Sequence, residues 1–128
     1  MSMFVRSIFL LSMLTLAWAK HVNVIITNKV EGNEDLYVHC KSKDDNLGLH
    51  LLHTNQTFRW GFGTHIFFKT LFFCSFRWRN GPLLYYDIYK QGRDFEICNN
   101  CFWDIHKAGP CRYECNPKPC MWKCYKWN

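Results

Sequence analysis

The sequence predicts an all-β domain, a two-sheet antiparallel sandwich or small barrel of about six to eight short strands. Three observations carry that expectation. Apolar and polar residues alternate with a period of two in stretch after stretch, as in strands that bury one face. Clusters of Asn, Asp, Gly, Ser and Pro separate those stretches. No run of about ten residues or more keeps a helical period. The 128 residues include 11 Phe, 6 Trp and 6 Tyr, side chains that each bury on the order of 150–250 Å² and so give a small domain a sufficient core. Core packing is the first reading of these aromatics, ahead of an exposed sugar-binding platform.

At the N-terminus Arg6 precedes an apolar run from Ile8 to Trp18, and Ala17-Trp18-Ala19 places small residues where a signal peptidase reads. The run is too short for the roughly 20 apolar residues of a membrane span, so residues 1–19 are expected to be a cleaved leader. The remaining chain has the length of one domain. Val22, Val24 and Ile26 then alternate with Asn23, Ile25 and Thr27 as a first strand, interrupted by the polar stretch 28–35. In Leu36–Lys41 the buried set is Leu36, Val38 and Cys40, and Tyr37, His39 and Lys41 face water. The strand ends in Ser42 to Asn46, whose Asp and Asn side chains can bond to their own backbone and close a turn before Gly48. Leu49–His53 is a third strand, and Phe58, Trp60 and Phe62 line one face of a fourth.

The densest apolar segment, Thr70–Trp78, sets Phe72, Cys74, Phe76 and Trp78 on one face and is expected to be the central strand. Asn80-Gly81 suits a type I′ hairpin turn, and Pro82 directly after it favours a longer loop equally. Leu83–Tyr89 returns antiparallel with Leu84, Tyr86 and Ile88 inward. Gln91-Gly92 makes the next turn, and Arg93-Asp94 reads first as a local ion pair. Cys101, Trp103 and Ile105 form the last alternating set. Pro117 and Pro119 argue against a regular strand beyond it, so 20–110 is the expected sandwich domain and 111–128 a Cys-rich basic tail, with Trp122 and Trp127 as its contacts.

All eight cysteines, Cys40, Cys74, Cys98, Cys101, Cys111, Cys115, Cys120 and Cys124, lie beyond the leader. In a secreted chain an even number reads as disulfides. Cys98-x-x-Cys101 and the four cysteines after it also have zinc-ligand spacing, but secretion weighs against zinc, and no βαβ pattern supports a thioredoxin-like role. Neither a metal nor a cofactor is expected. Eight cysteines allow 105 connectivities, which spacing alone leaves open.

Catalytic motifs are missing. His50-x-x-His53 has no carboxylate between its histidines, and in a strand the two point to opposite faces. Six histidines invite a ribonuclease hypothesis, but the His-Gly-Leu-Trp type of motif is absent, as are Gly-x-Ser-x-Gly, the P-loop and the dinucleotide fingerprint. Asp44-x-Asn46-x-Gly48 has Leu49 and Asn55 where a calcium loop needs Gly and Glu. Asn55-Gln56-Thr57 is an N-glycosylation acceptor in an expected loop, with Asn55 as the carrier.

Only Arg6 of the charged residues lies in the leader, which lowers the formal net charge of +6 by one. That excess favours an acidic wall polymer, an anionic membrane surface or an acidic receptor face. Nucleic acid is not an expected partner, because no recognised module is present.

Val38-His39-Cys40-Lys41-Ser42-Lys43-Asp44-Asp45-Asn46-Leu47-Gly48 closely resembles the signature of the plant self-incompatibility S1 family, also called S-protein homologues. Phe58 to Phe62, Thr70 to Trp78, Tyr86-Asp87-Ile88-Tyr89 with Arg93-Asp94, and Cys98-x-x-Cys101-x-Trp103 resemble its later blocks in order. The resemblance covers roughly residues 22–111, and it implies a small secreted β-sandwich acting as an extracellular ligand rather than an enzyme. It implies that Cys40, Cys74, Cys98 and Cys101 staple the sandwich, leaving the four tail cysteines to pair with one another. The expected partner is a receptor on a plant cell surface, with pollen rejection or a related cell-cell signal as the outcome. A cationic, disulfide-rich defence protein acting on microbial membranes or walls is the alternative. Since strands are committed to the core, recognition is expected from loops: Lys43, Asp44, Asp45 and Asn46; Arg79, Asn80, Gly81 and Pro82; Gln91, Gly92, Arg93 and Asp94.

Overall fold

The computed structural model describes residues 20–64 and 69–128. The leader expected over residues 1–19 lies outside them. Among the described residues the chain forms β1 (His21–Asn28), β2 (Leu36–Lys41), β3 (Asn46–Leu52), β4 (Thr57–Gly63), β5 (Leu71–Trp78), β6 (Leu84–Lys90), a single helical turn α1 (Gln91–Asp94), β7 (Asn100–His106), β8 (Gly109–Glu114) and β9 (Met121–Cys124). A five-stranded sheet in the order β4-β1-β7-β8-β9 faces a four-stranded sheet in the order β3-β2-β5-β6. The architecture is the β-sandwich that the resemblance implied, one of the two forms the alternation left open, and among the described residues it has nine strands rather than six to eight.

Alternation also places the core. Val22, Val24 and Ile26 of β1, Leu36, Val38 and Cys40 of β2, and Phe72, Cys74, Phe76 and Trp78 of β5 are buried with Tyr86, Ile88, Trp103 and Ile105. Phe58, Trp60 and Phe62 lie half-buried against this cluster. A β-bulge in β6, where Ile88 is the extra residue between the Phe72↔Tyr89 and Phe73↔Asp87 pairs, lets both Ile88 and its neighbour Tyr89 turn inward. Asn28, fully buried, is a polar peg at one end. Its Nδ2 donates to the carbonyls of Glu34 (2.8 Å) and Leu52 (2.9 Å), and its Oδ1 accepts from the Val30 N–H.

Two expectations are corrected. The sandwich is not wholly antiparallel, because β1 and β7 pair in parallel from Asn23↔Asn100 to Asn28↔Ile105. Side-chain alternation reports the buried face and says nothing of strand direction. The segment after Cys111, expected to lack a regular strand, instead extends the sheet: β8 pairs with β7, and β9 pairs with β8. Both prolines fall between the strands, where a missing N–H costs no ladder bond. Gly109 enters β8 at φ +155, and a Cβ there would lie 1.8 Å from the Tyr125 carbonyl oxygen, so only glycine lets the C-terminal residues cross this turn.

The eight cysteines form Cys40–Cys74, Cys98–Cys101, Cys111–Cys124 and Cys115–Cys120. Pairing stays within the upstream four and the downstream four. Cys40 and Cys74 are register partners on β2 and β5, as are Cys111 and Cys124 on β8 and β9.

Candidate recognition surface

Antiparallel pairing divides the loops between two ends. Lys41 lies opposite Phe73, and Leu36 opposite Trp78. The β2–β3 turn therefore sits at the same end as the start of β5 and α1, while the β5–β6 turn sits at the other. Of the three loops expected to carry recognition, the structure brings two to one end and separates the third.

In the β2–β3 turn Ser42 N–H donates to the Asp45 carbonyl (2.8 Å), and Asp45 N–H donates back to Ser42 Oγ (3.1 Å). Asn46 Oδ1 accepts from Gly48 N–H (3.0 Å), the local bonding expected of an Asx turn. Lys43, Asp44 and Asp45 are left exposed. They border a groove of about 610 Å³ with Phe62, Lys69, Leu71 and Phe73. Among the described residues no group of three His, Cys, Asp or Glu side chains is arranged to hold a metal ion.

At the opposite end Gly81 N–H closes a turn on the Trp78 carbonyl (3.0 Å), with Asn80 at φ 61. A Cβ on Gly81 would lie 2.4 Å from Trp78 Nε1, so the turn packs directly on the indole. β6 resumes only at Leu84, so the longer of the two loop forms is the one adopted. Arg77 and Arg79 share a groove of about 600 Å³ there with Glu34 and Asp35. Asn55 is exposed in the β3–β4 turn at this end, at φ 68, and its Oδ1 accepts from Lys29 Nζ (2.7 Å).

In the third loop Gly92 and Arg93 are exposed, but Asp94 is fully buried and is therefore corrected from a recognition residue to a structural one. Its carboxylate accepts from Arg93 Nε and Nη2 (both 2.6 Å), Arg112 Nη1 (2.8 Å) and the Lys90 N–H (2.8 Å). Burial alone would raise this carboxyl, but the hydrogen bonds from Arg93, Lys90 and Arg112 outweigh it and hold it below the usual range. Arg112 Nε also donates to Glu114 Oε2 (3.1 Å), which accepts from the Tyr125 hydroxyl (2.5 Å). The Arg112 guanidinium lies 4.9 Å from the centre of the Trp103 ring. This charge-balanced set couples α1 to the β8–β9 hairpin. Its sequence signal was obscured, because Arg112 and Glu114 occupy the inward positions of a strand where apolar residues are the usual sign of a core face.

The two tail tryptophans part company. Trp127 packs on Phe76 and Trp78, with centroids 5.3 and 6.5 Å away, and donates from Nε1 to the Lys107 carbonyl. Trp122 stays 48% exposed.

The model of the plant self-incompatibility protein S1 family matches residues 23–127. The chain belongs to that family. The match passes through β9, beyond the limit of the resemblance near residue 111, so the segment after Cys111 lies inside the family pattern. Among relatives, S-protein homolog 5 of Arabidopsis thaliana is 41% identical over 100 residues, covering 78% of this chain and 77% of its own length. S-protein homolog 3 of the same plant is 39% identical over 115 residues, covering 87% and 75%. A solved structure of an SPH (Self-Incompatibility Protein Homologue) protein superposes with a TM-score of 0.59 at 19% identity, over 86% of this chain and 96% of that one. That protein is described as one of a widespread family of small, highly stable, secreted proteins from plants. The S1 family is extracellular and of a ligand type without enzymatic activity.

Proposed function

We propose that this S1-family protein is a secreted ligand recognised by a receptor on a plant cell surface, in pollen rejection or a related cell-cell signal. One observation carries the reading. Lys43, Asp44 and Asp45 stand exposed beside a partly apolar groove, at the end where Gly92 and Arg93 are also exposed. Loops held on a disulfide-closed sandwich lose little entropy on binding. Asn55 lies at the opposite end, so a glycan there leaves this surface open.

Labelled protein should bind one plant cell type saturably at physiological salt. Replacing Lys43, Asp44, Asp45 and Lys69 together by Ser should weaken that binding at least about tenfold, the scale of 1.4 kcal/mol. Arg79→Ser, at the other end, should leave it unchanged. Undiminished binding by the fourfold variant would overturn the assignment of the surface. Dye release from anionic liposomes, with no saturable cell binding, would favour the defence reading instead.

A further inference from the structure

The outward face of the five-stranded sheet carries a row of side chains that the core does not use. Ile25 on β1 pairs in register with Arg59 on β4 and with Phe102 on β7. One step beyond the Trp103↔Arg112 pair the row reaches Tyr113 on β8, which pairs with Trp122 on β9 at a ring-centroid distance of 5.2 Å. Ile25 is covered, whereas Phe102, Tyr113 and Trp122 remain 46%, 40% and 48% exposed. These three rings floor a groove of about 670 Å³ bounded by Thr27, Lys29 and Asp104.

Neighbouring strands lie about 4.7–4.9 Å apart, and the Tyr113 and Trp122 ring centres, tilted by 48°, are 5.2 Å apart, close to the advance of one pyranose ring in an extended polysaccharide. A pyranose has apolar C–H faces and a rim of hydroxyls. The platform offers the complement, with an aromatic floor between polar borders. On one side Asn23 Nδ2 donates to Asn100 Oδ1 (3.0 Å), and on the other Thr27 and Asp104 stand side by side in register. Arg59 is exposed at one edge and Lys29 at another, two cations against the one carboxylate of Asp104. Lys29 Nζ gives one hydrogen bond to Asn55 Oδ1, which leaves two of its three donors for a ligand. The chain as a whole carries a formal +6.

We propose that this face binds an extended acidic polysaccharide, with sugar rings stacked on Phe102, Tyr113 and Trp122 and ligand carboxylates on Lys29 and Arg59. The site is separate from the loop end and stands whether or not that end binds a receptor.

Polygalacturonic acid is the probe, followed by titration calorimetry at physiological salt. The intact protein should bind it, and Tyr113→Ala with Trp122→Ala should weaken binding at least tenfold. Lys29→Gln with Arg59→Gln should weaken it and flatten its salt dependence. All four side chains are at the surface, so an unchanged thermal midpoint checks that the fold is kept. Independently of any variant, the polymer should protect Trp122 of the unmodified protein from oxidative footprinting, read by mass spectrometry. Absence of binding would overturn the proposal, as would binding that the aromatic pair does not affect. Equal affinity for dextran sulfate or anionic phospholipid vesicles would reduce the site to a charge effect, and equal affinity for a neutral glucan would remove the role of Lys29 and Arg59.

Discussion

In the four-stranded sheet Cys40 and Cys74 join neighbouring strands at the middle of the core, both fully buried among Val38, Phe72 and Phe76. In the five-stranded sheet Cys111–Cys124 and Cys115–Cys120 close a hairpin whose second strand, β9, is exposed at every residue. The same bond answers two different needs. Where apolar burial is ample, the bridge adds to a strand pair that packing already favours. Where a strand has little to bury, covalent closure and the buried Arg112 set hold it in register, and that frees Tyr113 and Trp122 to face solvent. Stability and exposure thus divide between the sheets, which is how a small domain presents aromatic surface without losing its frame.

The largest expected effect tests the buried bridge. Replacing Cys40 and Cys74 together by Ala reopens a loop of sequence separation 34, which is worth about 4 kcal/mol in the unfolded chain, and leaves a small core cavity as well. The same change at Cys115 and Cys120, separation 5, should cost about 2 kcal/mol. Urea unfolding of both double variants measures the difference. Equal losses would mean that the hairpin is as integral to the cooperative unit as the core pair.

Next in size is the ionic link. Arg112→Met leaves Asp94 with Arg93 alone among its guanidinium partners and Glu114 without its arginine, a loss of about 3–5 kcal/mol for a buried pair broken on one side. Native-state hydrogen exchange should show protection falling first in β8 and β9. If protection falls evenly across both sheets, the link stabilises the whole sandwich rather than docking the hairpin.

The contrast also explains what could be read in advance. β2 and β5 were legible because Leu36, Val38 and Cys40, and Phe72, Cys74, Phe76 and Trp78, put every inward position in apolar residues. β8 was not, since two of its inward positions are Arg112 and Glu114, which neutralise one another in place of apolar burial. Asp94 reads as half of a local ion pair with Arg93, which is present, but the further donors that meet it in its buried position, Arg112 and the Lys90 N–H, were not legible from that pair. The exposed aromatic row depends on β1, β7, β8 and β9 lying side by side, and no single stretch of sequence contains that adjacency. Trp122 and Trp127 had equal standing as residues, and only the path of the chain after Cys124 buries one against Phe76 and Trp78.

The smallest expected effect is at Asp104 on β7, and its sign is opposite to that at Asp94. Asp94 has a lowered pKa in the fold because, although burial opposes it, Arg93, Lys90 and Arg112 favour its charged form. A lowered folded value contributes stability that is in place above the unfolded value, near about pH 4, and is lost as pH falls through the folded one. Asp104 behaves in the opposite sense: burial raises its pKa, and the charges of Lys29 and His106 only partly offset that. Its folded form holds the proton more tightly than the unfolded chain, so its charge costs stability once pH rises through the folded value. Asp104→Asn should therefore be slightly more stable than the parent at pH 7, within the roughly 0.5 kcal/mol common for surface changes, with the gain vanishing below about pH 4. Asp94→Asn should be less stable at pH 7, with the gap closing in acid. Thermal unfolding at both pH values reads the two signs. An Asp104→Asn variant no more stable than the parent at pH 7 would show that Lys29 and His106 compensate in full. A gain would mark Asp104 as a carboxylate kept against the interest of the fold, beside Phe102 and Tyr113, where a ligand's hydroxyls would have use for it.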